Sequence, residues 1–296
     1  MNDIIKKLII PNNGTKYLFI AGKGGVGKTS IACMTAVWLA KKGYKTLLVT
    51  TDPATHLANV LEQEVNYEPT EVNGIPNLWT ANIEQKKAHE EYKKRILDIA
   101  RKKYSEDVIK TIEEELNSPC AEEMAAFEKF VDFILEPDYD VIIFDTAPTG
   151  HTIRFLQLPT DWSRQIELSG LVSGRTGSVE NVKEKFKKVI EIMSNQNRTT
   201  FAFVLYPEEI PMLEAWKASE ELKTIGIKTN LVIANMILSE EHCRNGFFKK
   251  RKQMQEQYLR EIEKRFNAQI IEMPLLSSEI VGTEMLVKAG EMLYGV

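Results

Sequence analysis

The chain has 296 residues, 43% apolar, 27% charged and 8% aromatic, enough to bury one large core or two modest ones that share an interface. Its 38 basic and 42 acidic side chains leave a formal charge of −4, so no global positive field draws it to nucleic acid or anionic lipid. The longest apolar runs, such as Val141-Ile142-Ile143-Phe144, fall far short of the ~20 residues that cross a bilayer.

The first residues carry no apolar stretch ending in a small-residue cleavage site, and the expectation is a cytoplasmic protein with no membrane span. Cys33, Cys120 and Cys243 are odd in number, widely spaced and free of any C-x-x-C pair, which argues against a disulfide framework and for reduced thiols. In chain order, the first predicted strand, 16–21, runs directly into Gly22-Lys23-Gly24-Gly25-Val26-Gly27-Lys28-Thr29 and then into a helical pattern. This satisfies G-x-x-x-x-G-K-[ST] in the strand-to-helix setting that the motif requires. Glycines let the backbone wrap a phosphate chain with its N–H groups turned inward, and the helix N-terminus adds its dipole. Lys28 is expected to reach the β- and γ-phosphates and the Thr29 hydroxyl to ligate Mg²⁺. Gly22, Lys23, Gly24, Gly25, Val26, Gly27, Lys28, Thr29 and Ser30 form the candidate nucleotide site, with ATP and Mg²⁺ as its ligands.

The second strand, 45–50, ends at Thr50-Thr51-Asp52-Pro53-Ala54. A carboxylate at a strand's C-terminal end beside a phosphate loop can orient or deprotonate a water attacking the γ-phosphate, although Asp is equally a favoured helix N-cap. After a strand at 78–83, residues 84–135 carry Lys, Glu and Arg densely around Ile96, Ile99, Val108, Ile112 and Leu116, then restart at Ser118-Pro119, where Pro suits the first turn of a new helix. The basic run from Lys86 to Lys103 reads as a solvated helix face.

Strand 139–145 ends in Asp145, a position that holds Mg²⁺ directly or through water, and Pro148 and Gly150 beyond it lie in a segment able to respond to the γ-phosphate. Residues 160–195 open as a polar, glycine-containing segment and continue as a helix through Phe186 and Ile190. Strands at 199–206, 229–235 and 269–273 complete the pattern. Several strands are apolar on successive positions, as in a parallel sheet covered on both faces. The expected fold is therefore α/β, a doubly wound and mostly parallel sheet. One P-loop domain is expected over 1–296, with an α-helical subdomain formed by about 84–135 and 160–195.

The pattern Lys23-Gly24-Gly25-Val26-Gly27-Lys28 resembles the deviant Walker A loop of dimeric ATPases that include the nitrogenase iron protein, the MinD-type positioning ATPases and the arsenite-pump and tail-anchor-targeting ATPases. The resemblance implies a homodimer with two facing ATP sites, in which Lys23 reaches the partner's nucleotide. Asp145-Thr146-Ala147-Pro148-Thr149-Gly150-His151-Thr152-Ile153-Arg154-Phe155-Leu156 is close to the signature of one of these groups, the arsenite-pump (ArsA) and tail-anchored-protein targeting ATPases. By that resemblance Asp52 is the catalytic aspartate, and this chain reads D-P-A-T-H where relatives commonly read D-P-A-H, which displaces His56 by one. Asn235 matches the asparagine that pairs with the adenine edge, and Pro274, Leu275 and Glu279 match a late nucleotide-side loop. Glu208 matches a glutamate that contacts nucleotide across the dimer in the targeting branch. The resemblance also implies that hydrolysis opens the dimer through residues 145–154.

Residues 116–130 resemble the arsenite-ATPase segment whose cysteine binds As(III) or Sb(III), and Cys120 falls on that cysteine. Leu158-Pro159, Trp162-Ser163 and Asn197-Arg198-Thr199 resemble the same branch, whereas residues 169–178 lack that branch's second metalloid cysteine. Two Cys120 thiolates at a twofold axis would suit a soft trivalent ion. A groove for a transmembrane helix would favour Met, and between 84 and 195 only Met124 and Met193 occur. The inter-subunit zinc C-x-x-C of many targeting ATPases is replaced here by His242-Cys243, and no zinc is expected. The leading expectation is an ArsA-type ATPase that drives an arsenite or antimonite pump through a membrane subunit. The alternative is a nucleotide-gated chaperone for tail-anchored proteins. A MinD-like regulator would want a basic amphipathic C-terminal helix, which residues 282–296 supply poorly.

Overall fold

A computed structural model of the chain describes residues 3–51, 55–135, 137–146 and 178–295. The chain divides into two compact units, one of Met1–Asn82, Tyr139–Ile153 and Met193–Val296, the other of Ile83–Asp138 and Arg154–Ile192.

The first unit is built on one sheet, with strand order β3-β4-β2-β5-β1-β6-β7-β8 among the described residues. These are β1 (Lys16–Ala21), β2 (Thr46–Thr50), β3 (Thr70–Glu71), β4 (Leu78–Asn82), β5 (Val141–Asp145), β6 (Thr199–Leu205), β7 (Thr229–Ile237) and β8 (Gln269–Pro274). Every pairing is parallel except that of β3 with β4. The seven predicted strands are present, with ends moved by one or two residues. The two polar residues of β3 have no periodicity that could announce a strand, and only pairing with Trp79 and Thr80 makes them one.

Central strands carry apolar side chains on both faces because helices cover both. On one face Phe19 stacks between Phe144 and Phe201, with ring centroids 4.8 and 4.5 Å apart, along the register that pairs these residues across β5, β1 and β6. On the other, Leu18, Ile20, Ile143 and Val204 belong to a core shared with α2 (Lys28–Lys41). From Ile31 to Ala40 this helix is buried all round, so it reads as uniformly apolar instead of amphipathic. The C-terminal helix, Gly282–Tyr294, closes over it: Tyr294 Oη and Thr35 Oγ1 are 2.8 Å apart, and Trp38 Nε1 donates to the Gly295 carbonyl at 2.9 Å.

At the amino ends of the strands Lys16 is buried, its Nζ donating to the Lys7 carbonyl at the end of α1 (Asp3–Ile9) and to the Asn197 carbonyl at 3.3 and 3.2 Å. Burial without a carboxylate contact pulls its pKa down to about 8.

The second unit is helical. Its described elements include α4 (Gln85–Ala100), α5 (Glu106–Leu116), α6 (Pro119–Leu135) and most of α7 (Ser178–Ser194). The restart at Pro119 is as expected; a second break at 101–105 was not. There the chain leaves α4 with the Tyr104 N–H still bonded to Ala100, and Ser105 takes an extended conformation before the acidic first turn of α5. Tyr92, Ile96, Leu116, Phe127 and Ile134 are buried in this unit, and a His89 ring nitrogen lies 2.6 Å from the Leu116 carbonyl.

Candidate nucleotide site

All but one of the sheet's strands run parallel, so their carboxyl ends form one edge, and the order reverses around β1, which has β5 on one side and β6 on the other. Such a switch point opens a crevice at the strand ends. The loop between β1 and α2 emerges there with Gly25 and Gly27 at φ of 77° and 85°. Two glycines are demanded by close approach: a Cβ on Gly22 would strike the Val204 carbonyl, and one on Gly27 would strike the Asn235 side-chain amide.

The first two residues of α2 then meet the end of β5. Lys28 Nζ lies 3.0 Å from Asp145 Oδ1, and the Thr29 hydroxyl donates to Asp145 Oδ2 at 2.8 Å. Lys28 is 8% exposed and Asp145 fully buried, so both oxygens of a desolvated carboxylate are engaged by the residues the motif assigns to phosphate and metal. Thr50 pairs with Asp145 in the β2–β5 register, and the Thr51 N–H donates to the Asp145 carbonyl at 3.2 Å, so the strand leading to Asp52 ends beside Asp145. Asp52 itself and residues 147–154 lie outside the described residues. Behind the site, burial and the nearby charge of Asp145 push the Cys33 thiol well up, in keeping with a packed, unreactive side chain.

In front of the loop is a cavity of about 620 Å³. It is lined by residues 22–30, by His56, Asn59 and Val60 of α3 (Thr55–Leu61) and by Glu279, Ile280 and Val281. Gly22, Lys23, Gly24, Gly25, Val26, Gly27, Lys28, Thr29 and Ser30 are thus gathered at one cavity, with Glu279 and His56 also in its lining.

Asn235 stands at the loop's back: its Nδ2 donates to the Val26 carbonyl at 2.9 Å, and its Oδ1 accepts from the Met236 N–H at 2.9 Å. Glu208 precedes α8 (Glu209–Thr224) and is ion-paired with Arg251 of α9 (Gly246–Arg265); neither it nor Pro274, the last residue of β8, lines the cavity. Cys120 is the second residue of α6, and its side chain lies outside the described residues.

Three contributors were not read from the sequence. The Tyr206 hydroxyl donates to the Gly25 carbonyl, Glu214 of α8 is ion-paired with Lys23, and Gln255 is nearly buried in α9. Gln255 accepts from the Leu238 N–H and donates to the Met236 carbonyl, each at 2.9 Å, and so holds the end of β7 that carries Asn235. Gln255 sits among Lys, Arg and Glu in a strongly polar helix, where nothing marks it as different.

The arrangement can grip a polyphosphate with backbone and Lys28, and offers hard oxygen donors from Thr29 and Asp145 of the kind Mg²⁺ prefers. Comparisons with known proteins place the chain among ATPases. A family model described as anion-transporting ATPase matches residues 15–173 and 170–295. A protein of Halobacterium salinarum whose provisional name is arsenical pump-driving ATPase is 46% identical over 304 residues, covering 99% of this chain and 47% of its own length. An arsenical pump-driving ATPase of Escherichia coli is 37% identical over 238 residues, covering 77% of this chain and 41% of its own. The chain therefore spans about half the length of these two relatives. A protein of Paramecium tetraurelia named ATPase ASNA1 homolog 1 is 30% identical over 319 residues, covering 97% and 94% respectively.

Proposed function

Because the chain belongs to the anion-transporting ATPase family, we propose that it hydrolyses ATP as one member of a homodimer and that this hydrolysis drives the export of arsenite or antimonite through a membrane partner. The observation that carries the ATPase reading is the convergence of Lys28 and Thr29, which line a cavity of about 620 Å³, on the buried Asp145. In this reading Asp52 orients the water that attacks the γ-phosphate in line, while Lys28 and the Lys23 of a second copy neutralise the charge that develops. Thr29 and Asp145 hold Mg²⁺, which neutralises phosphate charge when bound. Asn235 and Pro274 serve the adenine side, and Glu208 reaches the second copy's nucleotide. Cys120 receives the metalloid.

The names of the relatives in Halobacterium salinarum and Escherichia coli support the pump assignment, and the thiol chemistry of Cys120 suits As(III). The cytoplasmic side of a membrane is where such a motor would work. Among the described residues no helix is long and apolar enough to cross a bilayer.

Steady-state ATP turnover with and without As(III), in wild type and Cys120→Ser, tests this. The expected result is stimulation in wild type and none in Cys120→Ser. A flat response in both removes the pump reading. Asp52→Asn should bind ATP without turning it over, and full turnover in that variant would assign the water-orienting role elsewhere.

A further inference from the structure

Lys23 is the one lysine of the loop that the phosphate grip of a single protomer does not use. Its side chain is 59% exposed and ion-paired with Glu214, on the second turn of α8. The contact belongs to a set. Gly25 and Val26 are held on the same flank, by the Tyr206 hydroxyl and the Asn235 amide. Those two grip backbone carbonyls and leave the loop's side chains alone. Glu214 takes hold of a charge instead.

We infer that Glu214 is a positioning residue for Lys23, a carboxylate of the same chain that keeps the ammonium parked against α8 until a nucleotide-loaded second copy draws it away. The inference rests on the proposed role of Lys23 and adds to it a competing partner in cis. An exposed ammonium–carboxylate pair is weak, shifting an equilibrium by about two- to fivefold, which is the range in which a triphosphate can outcompete it. The physical consequence is a tax on assembly. If only protomers with Lys23 unpaired can complete the two facing sites, the apparent self-association constant is weakened by the square of that fraction, once for each copy, and turnover in the assembled state is not.

The test is specific ATPase activity against protein concentration at saturating ATP. Glu214→Gln should lower the protein concentration at half-maximal activity by about 4- to 25-fold, the per-copy effect squared, and reach the wild-type plateau. Glu214→Asp, which keeps the charge, should stay near wild type. In 0.5–1 M NaCl, roughly 3–4 Å of Debye length, wild type and Glu214→Gln should converge because the pair is screened. Lys23→Met and Lys23→Met with Glu214→Gln should behave alike, since Glu214 acts only through Lys23. If Lys23→Met lowers turnover while Glu214→Gln leaves the half-maximal concentration unmoved, the parking role is overturned and the Lys23 reading survives. If Lys23→Met itself reaches the wild-type plateau, the Lys23 reading falls and takes Glu214 with it.

Discussion

Both units hold a basic side chain against a carboxylate, and the settings of these pairs differ more than their chemistry does. In the nucleotide unit Lys28 meets Asp145 at 3.0 Å with the two side chains 9% and 1% exposed. In the helical unit Lys93 meets Glu113 at 2.9 Å with exposures of 26% and 45%, and Arg95 pairs with Glu128 at 56% and 35%. Taking two charges out of water carries a penalty that their attraction often fails to recover, so a buried pair is weak evidence of stabilisation. The exposed pairs lose little solvation and gain little. A fold that keeps Lys28 and Asp145 buried is therefore holding charge where a polyphosphate and a cation can use it.

The sharpest way to break this comparison is to remove one member of the buried pair. Lys28→Met should lower ATP turnover by about 10²–10³-fold, the usual loss when one charge-stabilising donor is removed. In the absence of nucleotide it should also reduce unfolding free energy by about 3 kcal/mol, because Asp145 is left buried without its cation. Replacing both, Lys28→Met with Asp145→Leu, should recover most of that stability in urea unfolding and none of the turnover. Recovery of neither, or of both, would show that the pair is not kept for its chemistry.

The nucleotide unit contains a second buried cation that sharpens the contrast further, because Lys16 leans on two carbonyls and its pKa is pulled down to about 8 from 10.5. Between these values the unfolded chain carries a proton at this side chain that the folded chain does not, so stability rises with pH across that window. Below pH 8 both states are charged and the burial penalty is present in full. Relative to Lys16→Met, wild type should gain on the order of 1 kcal/mol per pH unit between about pH 8 and 10.5, read from urea midpoints. Parallel pH profiles for the two proteins would mean that the Lys16 ammonium is solvated after all.

What the sequence revealed of the site follows the reach of the interactions. The loop from Gly22 to Ser30 is contiguous, and Asp145 ends a strand whose apolar run announces it, so both were legible from local pattern. The parallel sheet was legible for the same reason: strands such as Val141–Asp145 are buried at every position. Lys23 and Glu214 are 191 residues apart, and Tyr206 and Gly25 are 181 apart. No spacing rule joins such residues; they meet only once α8 and β6 have packed beside β1. Gln255 was hidden by its surroundings, since a polar residue in a polar helix gives no sign that it faces inward to β7. In the helical unit the break at 101–105 escaped because Arg101, Lys102 and Lys103 are as compatible with helix as their neighbours.

The smallest expected effect lies on that helical unit. Arg95 combines its ion pair to Glu128 with a position over the Tyr92 ring, 5.4 Å from the guanidinium carbon to the centroid. Arg95→Gln removes the charge from both contacts and keeps most of the stem that covers the surface. The expected loss is below about 1 kcal/mol, and part of it should vanish at high salt because the ion pair is screened there while contact with the ring is not screened to the same degree. Urea unfolding at low and at 1 M NaCl, followed by a probe in the helical unit, measures both parts. Turnover should be unchanged, since Arg95 touches nothing in the nucleotide cavity. A loss of the size expected for Lys28→Met would mean that this pair is desolvated in solution, and the contrast between the buried Lys28–Asp145 pair and the displayed Arg95–Glu128 pair would fall.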